Sequence, residues 1–528
     1  MSVLDHTHEV LNQAPPLVDY NVFDADLVLR EALEREGGGW GVDRVRDTGA
    51  VAGSAEAQEH CRRAERNEPR LLTHDRYGHR IDQVDLDPSW HWLLRVGVER
   101  EIPSLPWRDP KPGAHVVRGA LMYVFSHANA GVMCPISMTY SAVPALRVQP
   151  ELAEEWEPRL TLPDYGRGAL CGMAMTEKQG GSDVRANTTR AEPLGDGHYE
   201  ITGHKWFCSY PPCDIFLVLA QAPGGLSCFL VEGRHPGFQI QRLKDKLGTR
   251  SLPSSEVEFR QLPGRLVGEE GRGVRTIIEM VNHTRLDCLI GSAAGMRRGL
   301  VEAVHHARHR SAFGKLLVEQ PAMQNVLADL AIESEAATIT AMRVARAYDE
   351  RDTPFRRLAT AVMKYWVCKR GAPHAAEALE CLGGNGFVEE SWMPLIYRDA
   401  PLNSIWEGSG NVAALDVLRA MGREPEALPA FLAECELAAG ADPRLDHHLA
   451  ELKADLAALE PADAQFRARA LVERMALALE ASLLVRHAPP AVADAFCAAR
   501  LGGDSGHVFG TLSAGVDAPA IVERALAL

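Results

Sequence analysis

A block of short strand-like runs between two helix-like regions is the feature that most constrains the fold of this chain. Between about residues 165 and 270, runs rich in β-branched and aromatic residues alternate with glycine- and proline-containing turn sequences. The runs are His198–Phe207, Ile215–Ala220, Cys228–Val231, Phe238–Leu243 and Val257–Phe259. The turn sequences are Gly195–Gly197, Pro223–Gly225, Pro236–Gly237 and Pro263–Gly264. Short strands without intervening helices predict a small antiparallel barrel or sandwich.

Helical periodicity dominates from residue 271 onward. Apolar residues from Val274 to Val304 recur with a period near 3.6, Pro321 suits the start of a second helix, and another helix begins after Gly410. The sequence therefore predicts a mostly α protein with a central antiparallel β domain. The predicted domains are an N-terminal helical domain (1–164), a β-barrel (165–270), a helical bundle (271–424) and an additional C-terminal helical domain (425–528).

The charge balance and the cysteine pattern restrict the partners and the compartment. The formal net charge is −15, so no global basic field attracts nucleic acid or an anionic membrane. The segment 425–528 is itself acidic, with eight Lys/Arg residues against fifteen Asp/Glu residues. The eleven cysteines are scattered without a CxxC pair and the N-terminus is acidic, which together predict a cytoplasmic protein with reduced thiols. No apolar stretch approaches roughly 18 residues, so we expect no membrane association.

Several common motifs are absent. The chain has no GxxxxGK[ST] loop, no strand-linked GxGxxG and no GxSxG elbow, so phosphate-loop, Rossmann and α/β-hydrolase folds lose their usual sequence support. His305 and His309 have the spacing of metal ligands on a helix, but no third ligand accompanies them, which favours a solvated basic face. We therefore predict no metal site.

Three segments combine residues suited to ligand chemistry. Met173–Asp183 contains two adjacent glycines and two hydroxyl side chains, which suit close approach to a flat or anionic ligand or, alternatively, a β-turn. Arg310–Lys315 places two cations and Phe313 at the end of a long helix, where cations are favoured in any case. Ser404–Asn411 places the carboxylate Glu407 beside a tryptophan, where an apolar setting can raise its pKa towards that of a useful base. Ser409 or Asn411 could instead cap a helix.

Taken together and in this order, the three segments resemble the flavin-dependent acyl-CoA dehydrogenase family over roughly residues 115 to 420. The order of a helical domain, a β domain and a helical bundle is similar as well. The runs Thr176–Asp183 and Trp406–Asn411 look most like the AidB-type, alkylation-response branch. Ordinary dehydrogenases usually have proline where Lys178 stands and Tyr-Glu-Gly-Thr where residues 406–409 stand. The additional C-terminal helical domain also fits AidB-type chains.

The resemblance implies FAD as the cofactor and a set of residues that hold it. The residues expected to line the flavin are Met173, Met175, Thr176, Gly181 and Ser182, and those expected to flank its ring are Trp206, Phe207 and Ser209. Ile405, Gly408 and Asn411 should also contact the cofactor. Across a subunit interface, Arg310 and the loop Gly383-Gly384-Asn385-Gly386-Phe387 should bind its pyrophosphate or adenine, which implies a homotetramer. Phe313 is a further expected cofactor-binding residue. Glu380 stands where many members have glutamine.

Glu407 falls on the position of the family's catalytic base. The resemblance implies that Glu407 removes the α proton of an acyl-CoA while hydride leaves the β carbon for flavin N5. Some members place the base on an earlier helix, at the position of Thr284, but threonine cannot serve there.

Two alternatives remain at the level of sequence. One is an AidB-like flavoprotein that binds duplex DNA during the adaptive response to alkylation, with weak or vestigial dehydrogenase activity. Candidate phosphate contacts are Arg62, Arg63, Arg66 and Arg70, or Arg297, Arg298, Arg308 and Arg310, although their acidic or apolar neighbours favour a solvated helix face. The other is a flavoprotein oxidase or monooxygenase of the same fold.

Overall fold

Helices and one hairpin build the N-terminal part of the protein, in a computed structural model that describes residues 7–350 and 353–526. The helices are α1 (Leu27–Arg35), α2 (Val42–Ala52), α3 (Ala55–Arg66), α4 (Pro88–Glu99), α5 (Leu105–Arg108), α6 (Ala114–Ser126), α7 (Met133–Leu146) and α8 (Pro150–Leu160). The hairpin, which the sequence analysis does not predict, pairs β1 (Arg70–His74) with β2 (Arg80–Asp85). Helices α6 and α7 are apolar and buried on nearly every side, as expected of interior helices.

The central block is a seven-stranded sheet that closes into a barrel. Its strands are β3 (Cys171–Ala174), β4 (Arg190–Gly195), β5 (His198–Cys208), β6 (Ile215–Ala222), β7 (Gly225–Glu232), β8 (Phe238–Leu243) and β9 (Ser255–Val267). The strand order is β3-β6-β4-β5-β9-β7, β8 pairs with β9, and an additional β6–β7 pairing closes the ring. The predicted central β domain is confirmed, and most of its pairs are antiparallel. Strand β6 also pairs in parallel with β3 and with β4.

The prediction of a turn at Pro263–Gly264 is wrong, because both residues lie inside β9. Proline lacks the N–H that a central strand donates, so it is tolerated only where the ladder is interrupted. Strand β9 pairs with β8 up to Phe259 and with β7 from Gly264 onward, and a bulge at Gln261, with φ of 49°, separates the two stretches. Pro263 therefore stands where β9 changes partner. A side chain on Gly264 would meet Ile201 Cδ1 at 2.6 Å.

A helical bundle packs against the barrel and against α6 and α7. Its elements are α9 (Gly273–His309), the short strands β10 (Ser311–Ala312) and β11 (Lys315–Leu316), α10 (Pro321–Asp349), α11 (Thr353–Glu380), α12 (Met393–Asp399) and α13 (Gly410–Arg423). Helix α9 has 37 residues and is therefore about 56 Å long. It contacts α11, α10, α7 and α6 and forms the central rod of this part of the molecule.

The C-terminal segment is helical and its charges are paired. It contains α14 (Ala427–Glu436), α15 (Pro443–Ala457), α16 (Pro461–His487), α17 (Pro490–Phe496) and α18 (Ala518–Ala525). Seven of its eight cations lie within 4.0 Å of a carboxylate oxygen: Arg444, Lys453, Arg467, Arg474, Arg486, Arg500 and Arg524. Arg469 is the exception among the described residues. The surface of this segment therefore offers little unneutralised positive charge.

The breaks between elements bear on domain limits and on membrane association. Helix α8 ends at Leu160, β9 ends at Val267 and α13 ends at Arg423. The division into domains at residues 164, 270 and 424 stays a prediction. Within the described ranges, every helix is too short or too polar to cross a bilayer. All eleven cysteines are free and buried.

Candidate active site

Glu407 lies in a strained loop between α12 and α13. Its φ is 58°, and the next residue, Gly408, has a φ of 105°. A left-handed backbone at a glutamate is costly, and such outliers persist only where the surroundings fix them. Glycine suits this position because residues with a side chain rarely adopt a φ of 105°, and a Cβ atom there would lie 3.1 Å from Val412 Cγ1.

Two cations from the bundle hold this loop by its carbonyl groups. Lys364 on α11 is 1% exposed, and its Nζ donates to Trp406 O at 2.8 Å and to Gly408 O at 2.6 Å. Arg285 on α9 donates from Nε to Glu407 O at 2.9 Å, and its Nη1 pairs with Asp416 Oδ2 at 2.7 Å. Three consecutive carbonyl oxygens are thus fixed by side chains from two helices, and this accounts for the persistence of the strained backbone.

The Glu407 carboxylate itself has an unusual environment. Its Oε2 is buried and has no hydrogen-bond partner among the described residues. Burial raises the pKa of this carboxyl above its ordinary value, against the opposing effects of a Thr284 hydrogen bond and the charges of Arg285 and Lys364. A carboxylate with a raised pKa and a free oxygen is suited to accept a proton from a bound molecule.

The free oxygen faces a largely apolar cavity between α6, α7, α9, α11 and the loop that follows α12. The volume of the cavity is about 110 Å³. The apolar part of its wall includes Met122, Met133, Met138, Leu395, Ile396 and Trp406, and the polar part includes Ser137, Thr249, Thr284, Asp287 and Asn403. Thr249 Oγ1 is a second buried atom here that lacks a partner within the described ranges. Two orphaned polar atoms in one cavity point to a ligand that satisfies them.

The Thr176–Ser182 segment forms a tight loop against β5. Thr176 O accepts a hydrogen bond from Trp206 N at 2.8 Å, and Gly180 has a φ of 142°, which a residue with a side chain rarely adopts. A Cβ on Gly181 would lie 2.4 Å from Thr176 Oγ1, so only glycine fits there. Ser182 is exposed, and Met173 and Met175 are half-buried. The loop therefore leaves backbone and a hydroxyl group open to a ligand.

A buried ion pair that the sequence analysis missed lies beneath this loop. Lys205 Nζ is 2.8 Å from Glu177 Oε1, and both side chains are 0% exposed. Glu177 also accepts hydrogen bonds from Thr188 N at 2.7 Å and Thr189 N at 3.1 Å, while Lys205 Nζ donates to Leu219 O at 2.7 Å. Attraction from Lys205 and these hydrogen bonds outweigh burial and lower the pKa of Glu177 to about 2. Tyr199, Ile201 and Lys205 share the inward face of β5, so a lysine in that series was the available sequence signal.

The three β5 residues predicted to flank a ring lie near a bulge. The register with β9 shifts between Lys205 and Cys208, which leaves Trp206 and Phe207 side by side with ring centroids 6.3 Å apart. Phe207 is 49% exposed. Lys244 Nζ lies 3.2 Å from the Trp206 centroid and 4.7 Å from that of Phe207. Ser209 reaches Cys134, whose side chain lines the Glu407 cavity.

The remaining predicted cofactor residues form two groups. Ile405 is 59% exposed and lies with Gly408 and Asn411 in the Glu407 loop and the first turn of α13. Arg310 and Phe313 follow the opposite end of α9, about 38 Å from Thr284 along the helix. Phe313 is fully exposed, and Gly383 and Gly384 are exposed as well. The structure therefore does not bring these four residues to the Glu407 cavity of the same chain.

An arginine-rich groove adjoins the active-site loop on the other side of Arg285. It lies between the barrel and α9, α11 and α13, and Asp416, the partner of Arg285, forms part of its wall. Its arginines are Arg185, Arg272, Arg275, Arg356, Arg357, Arg419 and Arg423, against the acidic Glu279, Asp416 and Glu424. Arg272, Arg357 and Arg419 already pair with carboxylates. The seven arginines still outnumber the three carboxylates of the groove wall, and this positive excess suits phosphate groups.

Other sequence-level candidates have structural explanations. His305 Nε2 contacts Pro15 O and His309 Nδ1 contacts His305 O, and the described residues include no group of three or more His, Cys, Asp or Glu that could hold a metal ion. The expectation of a solvated face is wrong for Arg297 and Arg298, which are 4% and 8% exposed. Arg297 pairs with Asp26 and donates to two backbone carbonyls, and Arg298 stacks on Trp392.

Comparison with known proteins gives consistent matches along the chain. The model for the N-terminal domain of the adaptive response protein AidB matches residues 12–167, and those for the middle and C-terminal domains of acyl-CoA dehydrogenases match residues 172–262 and 271–422. AidB of Escherichia coli (strain K12) is 42% identical over 511 residues, covering 93% of this chain and 94% of its own.

Solved structures show the same fold. Caenorhabditis elegans ACDH-11 in complex with C11-CoA superposes with a TM-score of 0.87 at 27% identity and covers 95% of both chains. An acyl-CoA dehydrogenase from Bacillus anthracis, complexed with FAD, superposes with a TM-score of 0.67 at 17% identity and covers 85% of this chain and 86% of its own.

Proposed function

Because the chain belongs to the acyl-CoA dehydrogenase family, in its AidB-type branch, we propose that it binds FAD and oxidises an acyl-CoA between its α and β carbons. One observation carries this proposal. The Glu407 carboxylate has a free, buried oxygen facing an apolar cavity, while the backbone around it is fixed by Lys364 and Arg285. This arrangement is a positioned base beside room for an acyl chain.

Proton removal depends on Glu407, on Thr284 and on the apolar wall of the cavity. Glu407 takes the α proton onto its free carboxylate oxygen, because its raised pKa makes it a stronger base than an exposed glutamate. Thr284 lies in the wall of the same cavity, and its hydroxyl group opposes the rise in the pKa of this carboxyl. The methionine- and tryptophan-lined wall excludes water from the reacting carbons.

The residues around the Thr176 loop suit a flat, anionic cofactor. Ser182 is exposed on this loop, Phe207 offers an exposed ring, and Thr249 Oγ1 is an orphaned polar atom in the adjoining cavity. We assign Met173, Met175, Thr176, Ser182, Trp206, Ser209, Ile405, Gly408 and Asn411 to the same cofactor site. FAD, when bound, supplies the acceptor for the hydride that leaves the β carbon.

The arginine-rich groove is the proposed place for the phosphates of CoA. It meets α9 at Asn282, and the Glu407 cavity meets the same helix at Thr284. The proposal places the thioester of the substrate at Glu407 and its charged end among the arginines, so it requires one elongated substrate to reach both cavities. Because guanidinium groups bind phosphate oxygens in pairs, several converging arginines suit a nucleotide end better than an isolated lysine would.

The charge distribution favours duplex DNA less than acyl-CoA as the physiological ligand. Seven of the eight cations in the C-terminal segment are already paired with carboxylates, and two of the arginines considered for phosphate contacts are buried. The arginine-rich groove is the surface at which DNA phosphates would compete with CoA. A DNA-binding titration at low salt, repeated with saturating CoA, separates the two roles.

A homotetramer is part of the proposal. Arg310, Phe313, Gly383 and Gly384 lie exposed or half-exposed far from the Glu407 cavity, so their cofactor role requires a second chain. Sedimentation equilibrium with and without FAD tests this assembly. A monomer that retains full FAD affinity contradicts it.

Anaerobic titration of the FAD-loaded protein with a panel of acyl-CoAs tests the function. We expect flavin bleaching in the wild type, its loss in Glu407→Gln with the yellow colour retained, and wild-type behaviour in Glu426→Gln, a matched exposed glutamate without an ion-pair partner among the described residues. Undiminished bleaching in Glu407→Gln would reject the assignment of the base.

A further inference from the structure

The cavity at Glu407 extends along α9 well beyond that carboxylate. Thr284, which acts on Glu407, and Arg298 both line the cavity, and they are 14 residues apart on this helix, which is about 21 Å. A volume of about 110 Å³ over this length makes the cavity a narrow channel. Such a channel suits one unbranched chain, whose far end would lie at Arg298.

Arg298, at the far end of the channel, is a buried cation without a hydrogen-bond partner. It is 8% exposed, and its guanidinium stacks on the Trp392 ring at 4.3 Å. Among the described residues it forms no hydrogen bond, and no carboxylate oxygen lies within 4.0 Å of its nitrogen atoms. The adjacent Arg297 differs, because it pairs with Asp26 and donates to two backbone carbonyls. An unpartnered guanidinium in a cavity wall calls for an acceptor from a bound molecule.

Thr249 supplies a second unpartnered group at the same end. It is 3% exposed, it lines the channel, and its Oγ1 lacks a hydrogen-bond partner among the residues that the structure describes. Its φ is 45°, which a β-branched residue rarely adopts. Asp399 Oδ1 accepts a hydrogen bond from Thr249 N at 2.6 Å, and a Cβ on Gly248 would clash with the same oxygen. This contact fixes the strained backbone and with it the position of the hydroxyl group.

The far end of the channel offers both donors and acceptors. Asp399 lines it as well, and its Oδ2 accepts no hydrogen bond from the described residues. Burial and the nearby Glu65 raise the pKa of Asp399 to about 7, and Arg298 lies close enough to oppose this rise. Arg298 can only donate, ionised Asp399 can only accept, and Thr249 can do both. A hydroxyl group satisfies such a set, whereas Asp399 would repel a carboxylate and a methyl group would leave all three side chains without a partner.

We therefore infer that the acyl-CoA oxidised by this protein carries a hydroxyl group at the far end of its acyl chain. The inference rests on the proposed oxidation of an acyl-CoA and names the class of substrate. Arg298 donates to the hydroxyl oxygen, and Asp399 or Thr249 accepts the hydroxyl hydrogen. The hydroxyl group takes no part in the reaction at Glu407, so its recognition selects the substrate and the length of its chain.

Binding of acyl-CoAs to the FAD-loaded Glu407→Gln variant tests the inference, because this variant should bind the substrate without oxidising it. Titration calorimetry gives dissociation constants for three series of acyl-CoAs of equal chain lengths, which end in a methyl, a hydroxyl or a carboxylate group. We expect the hydroxyl series to bind at least about tenfold more tightly than the methyl series, because the methyl group leaves buried polar groups unpaired. This preference should appear only at the chain length that reaches Arg298 and Thr249.

Substitutions at the far end of the channel separate recognition from an effect on the fold. In the same Glu407→Gln background, Thr249→Val keeps the shape of the side chain and should lower the hydroxyl preference about threefold or more, whereas Thr249→Ser should retain it. Arg298→Gln should lower it about tenfold, because a charged hydrogen bond is stronger. The matched control is Thr340→Val on α10, which should leave the preference unchanged. Thr340 is also buried with an unpartnered Oγ1, but it lies outside the channel.

Each other outcome overturns the inference. Equal affinity for the methyl and hydroxyl series at every chain length shows that the far end does not recognise a hydroxyl group. Tightest binding of the carboxylate series shows that Arg298 selects an anion instead. An equal loss of preference in Thr340→Val shows that Thr249 acts through the fold. Flavin reduction in the wild type without a hydroxyl preference rejects the inference alone, whereas failure of every acyl-CoA to reduce the flavin rejects the proposed function.

Discussion

The buried ion pair of Glu177 and Lys205 lets us predict how much stability the protein loses when one of the two charges is removed alone. Both side chains are 0% exposed, and they are 2.8 Å apart. The fall in the pKa of Glu177 from 4.5 to about 2 corresponds to about 3 kcal/mol of stabilisation at neutral pH. Burial lowers the pKa of Lys205 from 10.5 to about 8, which corresponds to a cost of about the same size. The intact pair therefore contributes little net stability.

Removing one partner should destabilise the protein, because it leaves the other charge buried and unpaired. We expect Glu177→Gln and Lys205→Met each to lower the free energy of unfolding by about 3 to 5 kcal/mol. The double variant should cost much less than the sum of the two, with a coupling of about 2 kcal/mol or more. The matched control is the pair of half-exposed Glu258 and exposed Arg260 on β9, where Glu258→Gln should cost less than about 1 kcal/mol.

Urea unfolding of the flavin-free protein, monitored by circular dichroism across pH, measures these costs. The Glu177 contribution is present above pH 4.5 and is lost as pH falls towards 2, so Glu177→Gln should lack that part of the acid-induced loss. Burial of charged Lys205 lowers the free energy of unfolding below pH 8, and this penalty fades as pH rises to 10.5. Lys205→Met should therefore lack the corresponding rise in stability between pH 8 and 10.5. Additive single-variant costs, or a Glu177→Gln variant as stable as the Glu258→Gln control, would refute the reasoning.

Three further outcomes follow from the loop and its surroundings. Lys364→Met frees two carbonyl groups of the strained loop, and we expect flavin reduction by acyl-CoA to slow by at least about tenfold in stopped-flow measurements, with FAD retained. Thr284→Val removes a hydrogen bond that favours ionised Glu407, so the rise of the reduction rate with pH should shift to higher pH. Arg118→Met leaves Asp287 buried without its cation, and its unfolding free energy should fall by about 3 to 5 kcal/mol, whereas Arg118→Lys should lose less.

The architecture was accessible from the sequence because it depends on local periodicity. Strand β8 occupies Phe238–Leu243 as predicted, β5 begins at His198 and ends one residue beyond the predicted limit, and α10 begins at Pro321. The hairpin of β1 and β2 was missed because its strands are short and half-exposed, so they lack a buried apolar face to signal them. A turn at Pro263 is predicted wrongly for a related reason, since the change of strand partner in β9 depends on residues distant in sequence.

The candidate site was accessible only in part. Glu407 and the Thr176 loop were identified because short motifs carry them, whereas Lys364 and Arg285 were not, because their partners are backbone carbonyls more than forty residues away along the chain. Composition and spacing do not reveal which lysine side chain becomes buried in the folded protein. Arg469 illustrates the same limit, since its distinction from Arg467 becomes visible only when every neighbouring carboxylate has been placed.

The way in which the loop uses its cations explains how Glu407 can remain a base. Lys364 and Arg285 lie close enough to depress the pKa of its carboxyl, and a direct ion pair with either would lower it by roughly 1 to 3 units. Instead Lys364 binds the carbonyls of residues 406 and 408, and Arg285 binds the carbonyl of Glu407 and the carboxylate of Asp416. The cations therefore stabilise the backbone around Glu407 and leave its carboxylate oxygen unpaired. The left-handed φ of 58° turns the backbone so that carbonyl and side chain serve these separate roles.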